Sequence, residues 1–352
     1  MKTAKYPSIN GLRAISIVFV LMNHLWLDNI QFKELVEIIW IKPLAQILID
    51  GQLGVNVFFV ISGFLITSLM LKEEKIANTI SLKKFYLRRI LRIFPAYYSL
   101  LLIYFFLQIL GYLEISKESW LTALTLTKYF NLNLDWITNH AWSLSIEEHF
   151  YILWPLVFIN GKILRKRIAF FLILFVPVLR GYLYFYPIEW MGELTIFQRI
   201  DGIAIGCLFA LNKDEILKKI NGYWNTIFYL SLITLLLLPY FPAIANKLHL
   251  AFLFIPLGLT HGTIANIVVA LIMMYSVFGP KGIWYKMLNL KWINYIGILS
   301  YSIYLWQQIF VLRTKYWATH FPQNIFIIFL VAMLSYHFIE KPFLKLKTKF
   351  AV

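Results

Sequence analysis

One apolar run near the start of the chain carries two ionisable side chains. Residues Ile9 to Leu27 read INGLRAISIVFVLMNHLWL, which is long enough to cross a bilayer as a helix, yet they include Arg13 and His24. On a helix the two residues lie about 16 Å apart in depth and about 20° apart around the axis. Ionisable groups are costly in lipid and usually face a functional interior, although each could also reach the nearer interface. The run therefore predicts a membrane helix with a polar stripe.

The composition extends this prediction to the whole chain. Of the 352 residues, 60% are hydrophobic and only 14% are charged, with a mean hydropathy of +0.71, whereas soluble domains carry about 25% charged residues. We therefore predict an all-α, polytopic integral membrane bundle of about ten transmembrane helices. The candidate spans cover residues 9–27, 51–71, 93–112, 141–160, 168–187, 200–212, 223–241, 263–279, 293–313 and 324–340.

The chain shows no linker-like segment and no repeat at a fixed period. We expect residues 1–352 to form a single transmembrane domain without an appended soluble domain. The first apolar run lacks a small-residue cleavage site, so we expect no cleaved signal peptide. The one cysteine, Cys207, lies in the apolar run GIAIGCLFAL, which favours a packed side chain over a thiol nucleophile.

The net charge of +16 is distributed unevenly between the loops. The segments on one side of the predicted spans hold 23 of the 33 Lys and Arg residues, the opposite loops hold nine, and Arg13 lies within a span. We therefore expect a multi-pass protein of the cytoplasmic (inner) membrane. By the positive-inside rule, both of its termini lie in the cytoplasm. The longest outer segments are 28–50, 114–140 and 241–262. The basic charge indicates contact with anionic lipid and gives no reason to expect nucleic acid.

An arginine-rich stretch precedes the third predicted span. Residues 83–98 read KKFYLRRILRIFPAYY and contain Arg88, Arg89 and Arg92. Arg89 and Arg92 are three residues apart and share a helix face. The stretch has two interpretations: positive-inside charge against lipid headgroups, or an anion site for a phosphorylated cofactor, whose oxygens suit guanidinium groups.

The fourth predicted span, AWSLSIEEHFYILWP, carries Glu147, Glu148 and His149 inside an apolar helix. Neither carboxylate is stable alone in hydrocarbon. Glu147 is expected at a depth comparable to that of His24, where a carboxylate would orient the imidazole and raise its basicity. An interhelical ion pair with Arg13, Arg180 or Arg199 is the alternative, and the two are compatible. No two histidines, and no histidine and cysteine, lie three or four residues apart, so we predict no metal site.

These motifs, taken in order, resemble the acyltransferase-3 family of integral membrane acyltransferases. Arg13 and His24 match the family's Arg-x10-His pair, and GVNVFFVISGFLIT matches its second-span signature. Arg89 and Arg92 occupy the R-x-x-R positions. Glu147 lies in WSLSIEEHFYILWP, which matches the carboxylate-bearing signature.

One further motif departs from the family pattern. ILSYSIYLWQQIF resembles a signature in which many members have histidine after the tryptophan, and here that position is Gln307. A second catalytic imidazole at this position is therefore not expected.

The resemblance implies that an acyl group, most often acetyl, moves from cytoplasmic acyl-CoA to a hydroxyl of a cell-surface or lipid-linked glycan. Acetyl-CoA would be the acyl donor. Arg88, Arg89 and Arg92 would hold its phosphates, with Arg13 nearer the chemistry. His24 would be the general base or an acyl carrier, and Glu147 would orient it.

Two further expectations accompany this hypothesis. Some family members carry a fused extracytoplasmic hydrolase-like domain, so this chain would act alone or with a separate extracytoplasmic partner protein. The competing hypothesis is a polytopic transporter or flippase in which the buried Arg, Glu and His side chains form a proton relay.

The charge asymmetry makes the topology testable. A cysteine introduced by Asn133→Cys should react with a membrane-impermeant thiol reagent in intact cells, and one introduced by Lys166→Cys should react only after lysis. The parent chain, with its single apolar-run cysteine, is the background control. Labelling of the Lys166 variant but not the Asn133 variant would invert the orientation.

Overall fold

The computed structural model describes residues 6–28, 32–34, 48–130, 135–188, 195–241, 247, 251–312, 314 and 316–350, with the backbone alone over 251–261. Throughout these residues the regular secondary structure is helical, which confirms the all-α prediction. The main helices, numbered in chain order, are α1 (Ile9–Asp28), α2 (Gly51–Ala77), α3 (Leu82–Ile109), α4 (Ala141–Ile159), α5 (Lys162–Phe185), α6 (Ile196–Leu211), α7 (Trp224–Leu237), α8 (Ala251–Phe278), α9 (Lys291–Val311) and α10 (Gln323–Ser335).

Each predicted span falls on one of these helices, but the number of membrane crossings is not confirmed as ten. In the described part of the chain, five helices are long and apolar enough to cross a membrane, or six if a pair bent by 101° counts as one span. That pair joins Lys213–Ile220 to Trp224–Tyr240. α6 is too short at 16 residues, and α4 and α9 bury many of the polar side chains described below. The protein is thus a membrane protein with an unusually polar interior.

Close helix packing places α1 and α2 at the centre of the bundle. A Cβ on Gly63 would lie 2.0 Å from the carbonyl oxygen of Ile203, and one on Gly206 would lie 2.1 Å from that of Val60, so α2 and α6 touch backbone to backbone. Gly63 of the second-span signature thus serves helix packing. On its other side α2 meets α1, where the Ser16 hydroxyl donates to the Gly54 carbonyl over 2.5 Å.

The opposite face of α1 packs against α9. A Cβ on Gly297 would lie 1.9 Å from the carbonyl oxygen of Asn10. α1 is therefore held between α2 and α9, and half of its apolar run is buried inside the bundle.

A buried ion pair organises the predicted outer segment 114–140. Residues 131–134 of this segment, and most of 28–50 and 241–250, lie outside the described residues. The Lys128 amino group is fully buried and donates to Asp135 over 2.5 Å and to Ser119 over 3.1 Å. Burial lowers the pKa of Lys128, and the bond to Asp135 only partly offsets this. Asp135 also caps the short helix Trp136–Asn139 by accepting from the Thr138 amide. The pair thereby fixes the chain leading into α4.

The α2–α6 contact should be sensitive to one added methyl group. Gly206→Ala forces Cβ against the Val60 carbonyl, and overpacking costs about 1–3 kcal/mol, so the melting temperature in detergent should fall by roughly 5 °C. Gly282→Ala is the matched control because no atom lies within 4 Å of its added Cβ. Equal melting temperatures for the two variants would contradict the packing described here.

Candidate functional site

A cavity of about 140 Å³ lies inside the bundle between α1, α2, α3, α4 and α9. Its cationic lining comes from Arg13, Arg89 and Arg92, together with Lys347 from the end of the chain. The remaining wall is formed by Val55, Phe58, Phe59, Ile61, Ser62, Leu65, Leu69, Ile93, Ser143, Leu144, Glu147, Tyr151, Ser300, Tyr301 and Tyr304. The fold thus brings Arg13, Arg89, Arg92 and Glu147, four of the predicted site residues, to one enclosed space.

The arginines reach this cavity because α3 begins earlier than the predicted span at residue 93. Ser81 caps the helix by accepting from the Lys84 amide over 3.4 Å, so Arg89 and Arg92 lie one helical turn apart on the same inward face. The Arg89 guanidinium lies 4.8 Å from the ring centroid of Tyr151, a cation–π distance. A stretch expected just outside the third span is therefore part of the interior.

Arg88 does not join them. Its guanidinium forms a salt bridge of 2.7 Å with Glu73 on α2 and donates to the Phe350 carbonyl over 2.9 Å. It is absent from the cavity lining because the next residue of a helix points about 100° away. The structure thus separates Arg88 from the other two arginines, contrary to the expectation that all three hold one donor.

Glu147 lies with the arginines. The Tyr151 hydroxyl donates to Glu147 over 3.4 Å and is 2.5 Å from the Ser62 hydroxyl. The charges of Arg13, Arg89 and Arg92 all act on the Glu147 carboxyl group.

Two other cationic partners considered for Glu147 are engaged elsewhere. Arg180 pairs with Asp201 over 3.0 Å, and Arg199 donates to Gln52. In the described residues Glu147 is not in contact with His24, so direct orientation of the imidazole by Glu147 is not supported.

Two further carboxyl groups lie close to the arginines. Glu148 is 8% exposed and interacts electrostatically with Arg89 and Arg92. Glu340 is 6% exposed, accepts a hydrogen bond from Ser302, and interacts with Arg92 and Arg13. Because Glu340 ends the last predicted span, 324–340, the sequence favours only an interfacial cap at this position. A π-helical turn at Tyr336–Glu340 leads into it and was not visible in the apolar pattern.

His24 lies in a second polar cluster. Its ring packs edge-on against Trp136 with centroids 5.8 Å apart, and it lies beside Gln307 and within electrostatic range of His140. His140 is 4% exposed and Gln307 is fully buried. Within the described residues, the Nδ1 atom of His24, both ring nitrogens of His140 and both amide atoms of Gln307 make no hydrogen bond of good geometry, although His24 and Gln307 are close enough to interact and His140 approaches the Ile137 backbone. Such convergent, unpaired polar groups are typical of a site that binds a polar ligand.

Sequence reasoning missed the second imidazole of this cluster. In the sequence, His140 is the last residue of the predicted outer segment 114–140, a position that does not indicate the interior, although it directly precedes the carboxylate-bearing helix. The capped helix that follows Asp135 places Trp136 and His140 against α1 and α9. The second imidazole beside His24 therefore comes from His140 and not from residue 307.

Tyr304 connects the cavity to the histidine cluster. Its hydroxyl is 2.7 Å from the Ser143 hydroxyl and donates to the His140 carbonyl, and both Ser143 and Tyr304 line the cavity. Gln307 follows Tyr304 by one turn of α9. A cationic site and an imidazole site are thus adjacent along the bundle, with one tyrosine between them.

Comparison with known proteins identifies the family of this chain. A family model described as an acyltransferase domain, that of the acyltransferase-3 family, matches residues 6–336. The peptidoglycan O-acetyltransferase OatA of Listeria monocytogenes is 26% identical, with 96% of this chain and 56% of the relative aligned. The O-acetyltransferase OatA of Staphylococcus aureus is 28% identical, with 96% and 57% aligned. For the putative peptidoglycan O-acetyltransferase YrhL of Bacillus subtilis the values are 26%, 96% and 54%.

The chain therefore spans only about half the length of these curated relatives. No solved structure matches it. The family model nevertheless covers nearly the whole chain, including every residue of the cavity except Lys347. On this evidence the chain belongs to the acyltransferase-3 family.

Proposed function

We propose that this protein transfers an acyl group, most directly acetyl, from cytoplasmic acyl-CoA to a hydroxyl of a cell-envelope glycan or its lipid-linked precursor. Acetyl-CoA is the donor in this proposal, and both termini lie in the cytoplasm. The names of the relatives motivate the choice of acetyl and of a peptidoglycan-like acceptor. A separate extracytoplasmic partner protein remains part of the proposal.

The observation that carries the proposal is the cationic cavity inside the bundle. Four basic side chains line it with one carboxyl group, Glu147, while Glu148 and Glu340 lie nearby, so the cavity favours an anion. Guanidinium groups bind phosphate oxygens as paired donors, and a low-dielectric wall strengthens that attraction. Pockets for drug-sized ligands measure about 300–1,000 Å³, so a cavity of about 140 Å³ would hold one part of the donor and not all of it.

The proposed chemistry takes place at the histidine cluster. The His24 imidazole accepts the proton of the acceptor hydroxyl as that oxygen attacks the thioester carbonyl, the carbon–sulfur bond breaks, and the CoA thiolate takes up a proton. In the alternative route, His24 attacks the thioester first and carries the acyl group to the acceptor. His140 and Gln307 lie where they can hydrogen-bond the incoming hydroxyl. Glu147 balances the arginine charge.

The arginine pair should determine donor affinity. Replacing Arg89 and Arg92 together by alanine should weaken acetyl-CoA binding by about a hundredfold or more, because each charge-assisted hydrogen bond contributes about 1.5–3 kcal/mol. Replacement by lysine should rescue binding only in part because an ammonium group is a point charge and not a fork. Calorimetric titration of the purified protein measures this, and unchanged affinity in the double alanine variant would remove the site from the proposal.

His24 should be the residue on which transfer depends. Loss of a general base typically reduces the rate by about 10²–10⁴, so His24→Ala should nearly abolish glycan acylation, measured by mass spectrometry of envelope glycans. Expression and monodispersity in detergent should stay close to those of the parent.

His149→Ala is the matched control, because the Nδ1 atom of His149 contacts the Ser145 carbonyl of its own helix over 2.8 Å and the residue does not line the cavity. If His24→Ala retained more than about a tenth of parental acylation while equally folded, the imidazole would not be the base. Proton-coupled glycan movement without acyl transfer would favour the transporter hypothesis instead.

A further inference from the structure

Lys347 differs from the other lysines near the end of the chain. Its side chain lines the cavity beside Arg13, Arg89 and Arg92, whereas Lys341, Lys345 and Lys349 are exposed. Burial and the charges of Arg92, Arg89, Arg88 and Arg13 all oppose the charged form of its amino group. Within the described residues the amino group of Lys347 has no hydrogen-bond or salt-bridge partner. An anion bound in the cavity would offset both effects and favour the charged form of Lys347.

The segment that carries Lys347 is docked against the bundle. After the π-helical turn, the short helix Lys341–Lys347 packs against α3, and a final turn covers Thr348–Phe350. Arg88 donates to the Phe350 carbonyl while paired with Glu73 on α2. The end of the described chain is thus tied to α2 and α3, the same two helices whose side chains line much of the cavity.

Contact with lipid headgroups does not explain this arrangement. Basic residues after a last membrane helix usually face anionic lipid, and the exposed Lys345 and Lys349 fit that role. Lys347 faces inward instead. The carboxyl groups near the cavity already have arginine neighbours, so in the described residues none of them is left to balance a charge on Lys347.

We propose that Lys347 is a donor-binding residue: segment 341–350 docks its amino group over the cavity and completes, with Arg13, Arg89 and Arg92, a four-cation site for a phosphate group of the acyl donor. This inference rests on the proposed function and deepens it. Since binding and docking are linked equilibria, the donor stabilises the docked segment by the same factor that the segment strengthens donor binding.

The first test is a titration with CoA of the purified protein in nanodiscs of neutral phosphatidylcholine. Lys347→Ala should weaken CoA binding about tenfold. This loss is at the low end of the range for a charge-assisted hydrogen bond because the side chain is partly exposed. Lys347→Arg should keep affinity within about threefold. Lys345→Ala removes the same charge from the same helix at an exposed position and should change affinity by less than about twofold. Equal effects of the two alanine substitutions would overturn the proposal.

The second test uses amide hydrogen exchange over residues 341–350. Addition of CoA should slow exchange in this segment in the parent and in Lys345→Ala, and should have little effect in Lys347→Ala. If Lys347 had only a structural role, Lys347→Ala would alter exchange without CoA, and CoA would slow exchange equally in the parent and in this variant. That result would contradict the proposal.

The two proposals fail in distinguishable ways. If the parent bound no CoA, the proposed donor would be wrong. Nanodiscs containing phosphatidylglycerol would then show whether a lipid phosphate protects the segment through Lys347, a result that would overturn the donor assignment in favour of a headgroup site. If the parent bound CoA and Lys347→Ala bound it equally well, only the role of Lys347 would fail.

Discussion

The structure depends on compensating charges that are buried inside a membrane bundle. Arg13, Arg89 and Arg92 cannot stay in an apolar interior alone, because the desolvation of each charge is costly. Glu147 and Glu148 approach them from α4 and Glu340 from the turn after α10, and the walls between them are apolar. Positions of α1, α3, α4 and the end of α10 are therefore coupled: moving any one of them would leave a charge without its partner.

Close packing of glycine-bearing helices makes this compensation possible. The α2–α6 contact through Gly63 and Gly206, and the α1–α9 contact through Gly297, bring backbones together without intervening side chains. α1 consequently lies inside the bundle, where Arg13 faces one polar region and His24 another. The glycine contacts thus determine where the polar side chains of α1 lie.

The arrangement separates two tasks along the bundle. A cationic cavity suited to a phosphate lies next to an imidazole cluster suited to proton transfer, with Tyr304 between them. In the proposed reaction only the acyl end of the donor has to pass this tyrosine, so the charged part of CoA stays where the cations are. Separation of this kind offers a physical route for moving an acyl group across a membrane without moving the charged carrier.

The sequence by itself determined the helical membrane class, the position of each main helix, and the residue types of the site. The length of an apolar run, the cost of a charge inside it and the spacing of glycines depend only on neighbouring residues. Five site residues could therefore be identified without coordinates: Arg13, His24, Arg89, Arg92 and Glu147. Only the tertiary structure decided which of them meet. It turned Arg88 away from Arg89 and paired it with Glu73, and it placed Glu147 with the arginines and His140 beside His24. It also brought Glu340 and Lys347 back to the interior from the end of the chain. Those outcomes depend on helix rotation, on an early start of α3 and on a π-helical turn, which are set by contacts between distant segments and leave no periodic signal in the residues themselves.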